Sequence, residues 1–241
     1  MIHKTAIIDE SATISENVKI SAFCTIGKNV VLKDGVQLEA HVIISDNVTI
    51  GENSKIYSFT RVGNGVASVN IGKSVQIREF SQIGLQGDEN LDLNIDNECF
   101  IMAYSQLYTG VNISNNVILT NGVTLHEGVQ CNERVIIGGL STIHDNLIIG
   151  GGVMIGGASN AKNSIPPYTL VEGNPAEVKG LNIIGLRRRI DDKDELNEIK
   201  VAFKEIFRAE GQVDSSKAED ILNSTESSFV KELASFATTT N

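Results

Sequence analysis

Residues 113–155 read ISNNVILTNGVTLHEGVQCNERVIIGGLSTIHDNLIIGGGVMI. An aliphatic residue or a cysteine returns at every sixth position: Ile113, Leu119, Leu125, Cys131, Ile137, Ile143, Ile149 and Ile155. A period of six is neither the 3.6 of an amphipathic helix nor the alternation of a hairpin sheet. It suits a solenoid in which each hexad supplies one short strand and one turn, that is, a parallel β-helix. The same phase runs backwards through Leu107 and Ile101 to Ile95, through Ile83, Ile77 and Ile71, and again from Val62 to Ile8. A small or β-branched residue stands two positions before most anchors, as at Val18, Cys24, Val30 and Val36, and the turns are of the type IGKNV and IGENS. Three hexads make a coil of 18 residues, so the anchors predict about eight coils, a prism roughly 35 to 40 Å long at about 4.8 Å per strand. The fold class is therefore an all-β solenoid.

Two places break the rhythm. Nine residues separate Val62 from Ile71, which predicts a three-residue bulge around GNGVAS, and LQGDENLDLN (85–94) lacks a clean anchor and is expected to bulge outward. After Ile155 the pattern fades, and Pro166 and Pro167 argue for an extended loop there. Beyond it, Leu196, Ile199, Phe203, Ile206 and Phe207 lie on one helical face, with acidic residues at its start and Gly211 at its end. Two shorter helices are expected in SKAEDILN and SSFVKELASF, with a frayed ATTTN terminus. The domains expected are a solenoid with its loop over 1–186 and a helical cap over 187–241, the cap covering the backbone of the last coil.

Composition narrows the function. The 241 residues carry a net charge of -10, against a general nucleic-acid binder. No apolar run is long enough to span a bilayer, and the start MIHKTAIIDE has no long apolar stretch. Cys24, Cys99 and Cys131 are scattered and fall in inward slots, so neither a disulfide framework nor a metal site is expected, and the expected location is the cytoplasm. No cofactor is implied. Outward aromatic residues, Phe23, Phe59, Phe80, Tyr104 and Tyr108, call for cover, and a three-sided prism favours a cyclic homotrimer. His3 and His41 read as surface residues.

The stretch VIIGGLSTIHDNLIIGGGVMIGGASNAKNSIPPYTLVEGNPAEVKGLNIIGLRRR and the helical tail after it resemble the acyl-carrier-protein-dependent UDP-N-acetylglucosamine O-acyltransferases of lipid A synthesis. The likeness covers nearly the whole chain. It implies a left-handed β-helix, a homotrimer with three clefts between subunits, and transfer of a 3-hydroxyacyl chain from acyl carrier protein to a sugar hydroxyl. Such a transfer needs a base for the hydroxyl proton and donors for the oxyanion. The family base is a histidine in an Ala-His-x-x-His-Asp type of segment. The matching SQLYTG places Thr109 in the base slot and Gln106 in the first histidine slot. Two further family histidines match Gly84 and Gly128, and a family acidic residue near the nucleotide matches Ile184. The family's nucleotide-contacting loop is cut down to the bulge near Gly65. His144, Asn182, Arg188 and Arg189 keep family residues of the cleft and phosphate region, with Asp145 beside His144 where the family has a glutamine.

Arg187, Arg188 and Arg189 form a basic run that suits a phosphate or an acidic carrier protein, and equally an ion-paired contact with Asp191, Asp192 and Asp194. The period offers a replacement for the lost base. Tyr108, His126 and His144 are 18 residues apart, each directly after an anchor, and should stack outward about 5 Å apart beside a second column of Thr109, Glu127 and Asp145. A histidine polarised by Glu127 or Asp145 is chemically fit to act as a base, and a polar ladder at a subunit interface fits the same spacing. His144 and His126 are thus the candidate catalytic residues, and Asn182, Arg188, Arg189, Asp145 and Gln106 the candidate substrate-binding ones. Three functions stay open: a family member that binds acyl carrier protein or a nucleotide sugar without standard catalysis, an acyltransferase with an altered site, and one with a changed substrate.

Overall fold

The computed structural model describes residues 1–85, 87–88, 90–207 and 213–239. It is a left-handed parallel β-helix of about nine turns followed by helices. Each turn lays one strand on each of three sides. The first side runs from Ile7–Ile8 to Asn160–Ala161, the second from Thr13–Ile14 to Ile148–Ile149, and the third from Lys19–Ile20 to Thr169–Glu172. The hexad anchors line the interior: Leu32, Ile56, Ile101, Leu107, Leu125 and Ile137 are fully buried. Truncating any one of them to Ala would cost about 2–5 kcal/mol, because the stacked core cannot collapse into the gap.

Strands pair with a step of 18 residues, as in Ile7↔Thr25. The step widens to 21 at Arg61↔Gln82 and to 24 at Gln82↔Gln106. The two irregular stretches read from the sequence are therefore real outward bulges, the first between Val62 and Val69 and the second between Leu85 and Leu93. The second occupies a whole hexad, which is why it kept the count while losing its anchor.

The corners turn through left-handed backbone. Asn29, Asn47, Asn53, Asn116 and Asn146 adopt it, as their short polar side chains allow. At the corner between the third and first sides the same conformation falls to Phe23, His41, Phe59, Phe80 and Tyr104, where a bulky side chain costs about 1–2 kcal/mol. Their rings form one continuous stack with centroids 5.0, 4.8, 5.2 and 5.1 Å apart. Each such pair contributes about 0.5–1.5 kcal/mol, which offsets part of the backbone strain.

The expectation of a loop after Ile155 is corrected. Asn160–Ala161 joins the first side, Ile165 bridges to Ile149 on the second, and Thr169–Glu172 completes a ninth turn on the third. The two prolines sit at the corner after Ile165, off the ladder, so they interrupt no hydrogen bond. Gly150 lets the corner close, since a Cβ there would lie 2.4 Å from the Pro167 nitrogen. The open edge of the third side is covered by an antiparallel strand, Glu177–Leu181, and not by a helix.

Among the described residues four helices follow: α1 (Ile183–Arg187), α2 (Lys193–Ile206), α3 (Ser215–Ser224) and α4 (Ser228–Thr239). The helical part begins with α1, ahead of the basic run. Leu196, Ile199 and Ile206 of α2 pack with Val230, Leu233 and Ala237 of α4 around Tyr168 and Leu186. The expected helix stop at Gly211 lies outside the described residues. Ala237–Thr239, expected to fray, continue α4.

Candidate functional site

The 18-residue step puts Tyr108, His126 and His144 on successive turns at the corner between the first and second sides. Their rings stack as the spacing requires, 5.0 Å from Tyr108 to His126 and 5.7 Å from His126 to His144. All three are half-buried. His144 Nε2 donates to Asn160 Oδ1 at 2.8 Å, and Asn160 Nδ2 donates in turn to Asn174 Oδ1 at 3.2 Å. That arrangement selects the tautomer protonated on Nε2 and leaves Nδ1 to accept a proton. His126 Nδ1 lies 3.9 Å from Asp145 Oδ1, close enough for ion pairing when the ring is charged and too far for a hydrogen bond. Asn160 and Asn174 were missed in the sequence because the stretch holding them has no hexad anchor.

Thr109 sits directly beside this ladder and is buried, 1% exposed. The second bulge lies over it. Gly110 N–H donates to Leu91 O at 3.1 Å, and Thr109 N–H to Leu85 O at 3.3 Å. The Glu127 carboxylate holds the bulge from the other side, accepting Asp88 N–H at 2.6 Å and the Thr109 hydroxyl at 3.5 Å. A side chain at Gly87 would collide with both Thr109 Oγ1 and Glu127 Oε2. Glu127 is thus occupied in anchoring the bulge, and Asp145 is the carboxylate left facing His126. The two histidines are the side chains of this ladder whose chemistry suits proton exchange near neutral pH.

The remaining candidates lie elsewhere. Gln106 points outward from the first side, in register between Gln82 and Thr124. Asn182 caps α1: its Oδ1 accepts Gly185 N–H and its Nδ2 donates to Gly152 O, each at 3.0 Å. Both ends of its amide are therefore committed to backbone. Arg189 lies over the rings of Phe229 (4.8 Å) and Tyr168 (5.5 Å), and the Tyr168 hydroxyl donates to Glu232. Burial pushes the Tyr168 hydroxyl well above the ordinary tyrosine range, and the Glu232 carboxylate adds to the effect. Arg187 and Arg188 are exposed. No ion pair joins the three arginines to Asp191, Asp192 or Asp194; Asp192 instead caps α2 through Asp194 N–H. Asn182 and the arginines gather at the corner between the second and third sides. The histidine ladder stands at a different corner, so one chain does not bring the two groups together.

A hexapeptide β-helix carrying this helical tail is the architecture of a class of bacterial transferases. The family model for bacterial transferase hexapeptide repeats matches residues 29–64, and the model described as UDP N-acetylglucosamine O-acyltransferase, domain 2, matches residues 165–241. An acyl-acyl carrier protein–UDP-N-acetylglucosamine O-acyltransferase from Sulfurovum is 36% identical over 249 residues, covering 99% of this chain and 95% of that protein. With the protein of the same description from Nautilia profundicola the identity is 42% over 78 residues, only 30% of its length. The solved structure of UDP-N-acetylglucosamine acyltransferase from Campylobacter jejuni superposes with a TM-score of 0.92 at 35% identity, covering 100% of this chain and 97% of that one. The chain belongs to the acyl-acyl carrier protein–UDP-N-acetylglucosamine O-acyltransferase family.

Proposed function

We propose that this chain is a ligand-binding member of its family, taking acyl carrier protein or a nucleotide sugar into clefts between the subunits of a cytoplasmic homotrimer, without running transfer through the family's base position. The observation that carries this reading is the burial of Thr109 beneath the second bulge. O-acyl transfer needs a group that accepts the hydroxyl proton near neutral pH, and a threonine hydroxyl does not. The solenoid with its covering strand runs through Leu181, and the helical unit begins with α1 at Ile183. Exposed apolar side chains concentrate on the first side and its corner with the third, with Ile7, Phe23, Phe59, Tyr104 and Leu140 each more than half exposed. Burying that strip against a second copy supports the trimer. A neighbouring subunit also supplies what one chain lacks, bringing the Arg188 and Arg189 corner to the Gln106, His144 and Asp145 corner. Asn182 then acts as a positioning residue that fixes the start of α1.

A second reading is favoured by the ring ladder. With Nε2 of His144 tied to Asn160 and His126 facing Asp145, either imidazole is equipped to take a proton, making the protein an O-acyltransferase with a moved base. One experiment separates the two. The purified full chain is given 3-hydroxyacyl-acyl carrier protein with several UDP-amino sugars, transfer is assayed, and binding of each ligand is measured by calorimetry. Binding without transfer supports the first reading. Transfer that is robust in the parent and lost in His126→Ala or His144→Ala, with the oligomer intact, replaces it with the second. Failure to bind any of these ligands sinks both. Light scattering should report about 78 kDa, three times the 26.0 kDa chain. A stable monomer would remove every cleft between subunits.

A further inference from the structure

Glu232, Ser235, Phe236 and Thr239 recur at the i, i+3, i+4, i+7 spacing that puts them on one face of α4. That face looks onto the solenoid, while Val230, Leu233, Ala234 and Ala237 fill the helical core. The solenoid corner it meets is Gly150, Gly151 and Gly152, one turn on from Asn132, Glu133 and Arg134. Three glycines in place of three side chains leave a cavity of about 210 Å³ between helix and solenoid. The missing side chains also make room for Glu232, since a Cβ at Gly151 would stand 2.8 Å from its Oε1. Ile148, Pro167 and Phe236 give the cavity an apolar wall, and Asn132, Glu232 and Ser235 give it polar groups.

Among the described residues the only charge in this wall is negative. Glu232 accepts the Tyr168 hydroxyl, a neutral donor, and no described lysine or arginine lies within ion-pair distance of it. Other half-buried carboxylates have a cation: Glu39 pairs with Lys55 at 2.8 Å and Glu79 with Arg78 at 2.9 Å. Arg189 lies over the Tyr168 ring at 5.5 Å and forms no part of the cavity wall. The Asn132 amide and the Ser235 hydroxyl have no hydrogen-bond partner among the described residues, so each has an acceptor oxygen to offer. A carboxylate beside two neutral oxygens matches the three N–H donors of an alkylammonium, whose carbon body fits the apolar wall. The volume lies below the roughly 300–1,000 Å³ of drug-sized pockets, which restricts the occupant to a small molecule.

We propose that Glu232, with Asn132 and Ser235, forms a binding site for the ammonium group of a small primary amine. The site goes beyond the functional reading above, and neither the ring ladder nor Asn182, Arg188 or Arg189 lines it. It lies at the end of the second side, whose outward residues Asn94, Asn112 and Gln130 are polar. The exposed apolar strip that calls for a second copy runs along the first side and its corner with the third.

The test titrates the full chain in its assembled state with n-butylammonium chloride and, separately, with n-butanol, at pH 7 and constant ionic strength. An alkylammonium is fully charged at that pH, and butanol offers a body of the same size without the charge. Calorimetry should show saturable binding of butylammonium, with butanol weaker by roughly tenfold or more, since a charge-assisted hydrogen bond is lost. Glu232→Gln should weaken butylammonium by a similar factor; its amide oxygen still accepts the Tyr168 hydroxyl, so the thermal midpoint should stay near that of the parent. Glu226→Gln removes a carboxylate that faces Lys231 at 3.7 Å, outside the cavity, and should bind as the parent does. Ser235→Met, which fills the cavity and keeps the carboxylate, should block binding. No saturation by butylammonium, equal binding of butanol, undiminished binding in Glu232→Gln or Ser235→Met, or an equal loss in Glu226→Gln would overturn the proposal.

Discussion

Replacing Gly150 with Ala tests the ninth turn directly. The new Cβ would stand 2.4 Å from Pro167 N and 2.6 Å from Pro167 Cα, both backbone atoms that no rotamer change can move aside. The corner must therefore lift by about 1 Å to reach ordinary contact, an overpacking cost of about 1–3 kcal/mol. Lifting also strains the two bonds that hold it, Gly150 N–H to Ile165 O and Ile165 N–H to Ile148 O, each 2.8 Å, at about 0.5–1.5 kcal/mol apiece. The total is roughly 2–6 kcal/mol, which for a chain of this size lowers the melting midpoint by roughly 5–20 °C. Scanning calorimetry at fixed protein concentration reads it. The control is Gly157→Ala, where the nearest atom to an added Cβ is 3.3 Å away and the change should cost under about 1 kcal/mol. Hydrogen exchange should rise first over 160–181, the segment that the corner secures. A Gly150→Ala protein melting within 1 °C of the parent would mean that the residues after Ile155 are a loose strap and not a coil.

Two further outcomes are expected. Thr109→Ala should leave any transfer activity within a few-fold of the parent, because its hydroxyl makes only a 3.5 Å contact with Glu127 beneath the bulge; a loss of about 10² to 10⁴ with ligand binding intact would mark Thr109 as part of the acid–base machinery. The buried thiols should be inert, since burial pushes Cys99 up to about 11 and Cys131 up to about 12 from 9.0. Alkylating reagent at pH 8 should label neither in the folded protein and both in denaturant. Because the folded values exceed the unfolded one, this contribution to stability is complete below pH 9 and is lost as pH rises through 11 to 12. Urea midpoints should fall over that window, less steeply in Cys99→Val, and rapid native labelling at pH 8 would contradict the burial argument.

The sequence alone determined whatever the hexad repeats. Each anchor sees the same local geometry as the one six residues away, so the signal accumulates over 24 positions and survives the two interruptions. The same arithmetic placed Tyr108, His126 and His144 in one column, and the ring separations of 5.0 and 5.7 Å follow from a fixed strand spacing. The tertiary structure decided what has no period. The bulge between Leu85 and Leu93 is secured by Asp88 to Glu127, 39 residues apart, and no local pattern announces that Glu127 serves the bulge in place of a histidine. The ninth turn escaped notice because Ala161 and Ile165 close a core whose last partners are prolines and a glycine corner. Asn182 and Arg189 matched functional slots in the sequence, yet their partners, Gly152 for one and Tyr168 with Phe229 for the other, are chosen by how the helices dock. Glu232 was visible only as one charge among many until the docking of α4 set it against Gly150 and Pro167. Repetition makes a fold legible because it is local; a site depends on contacts between distant, non-repeating segments, and these exist only once the chain has closed on itself.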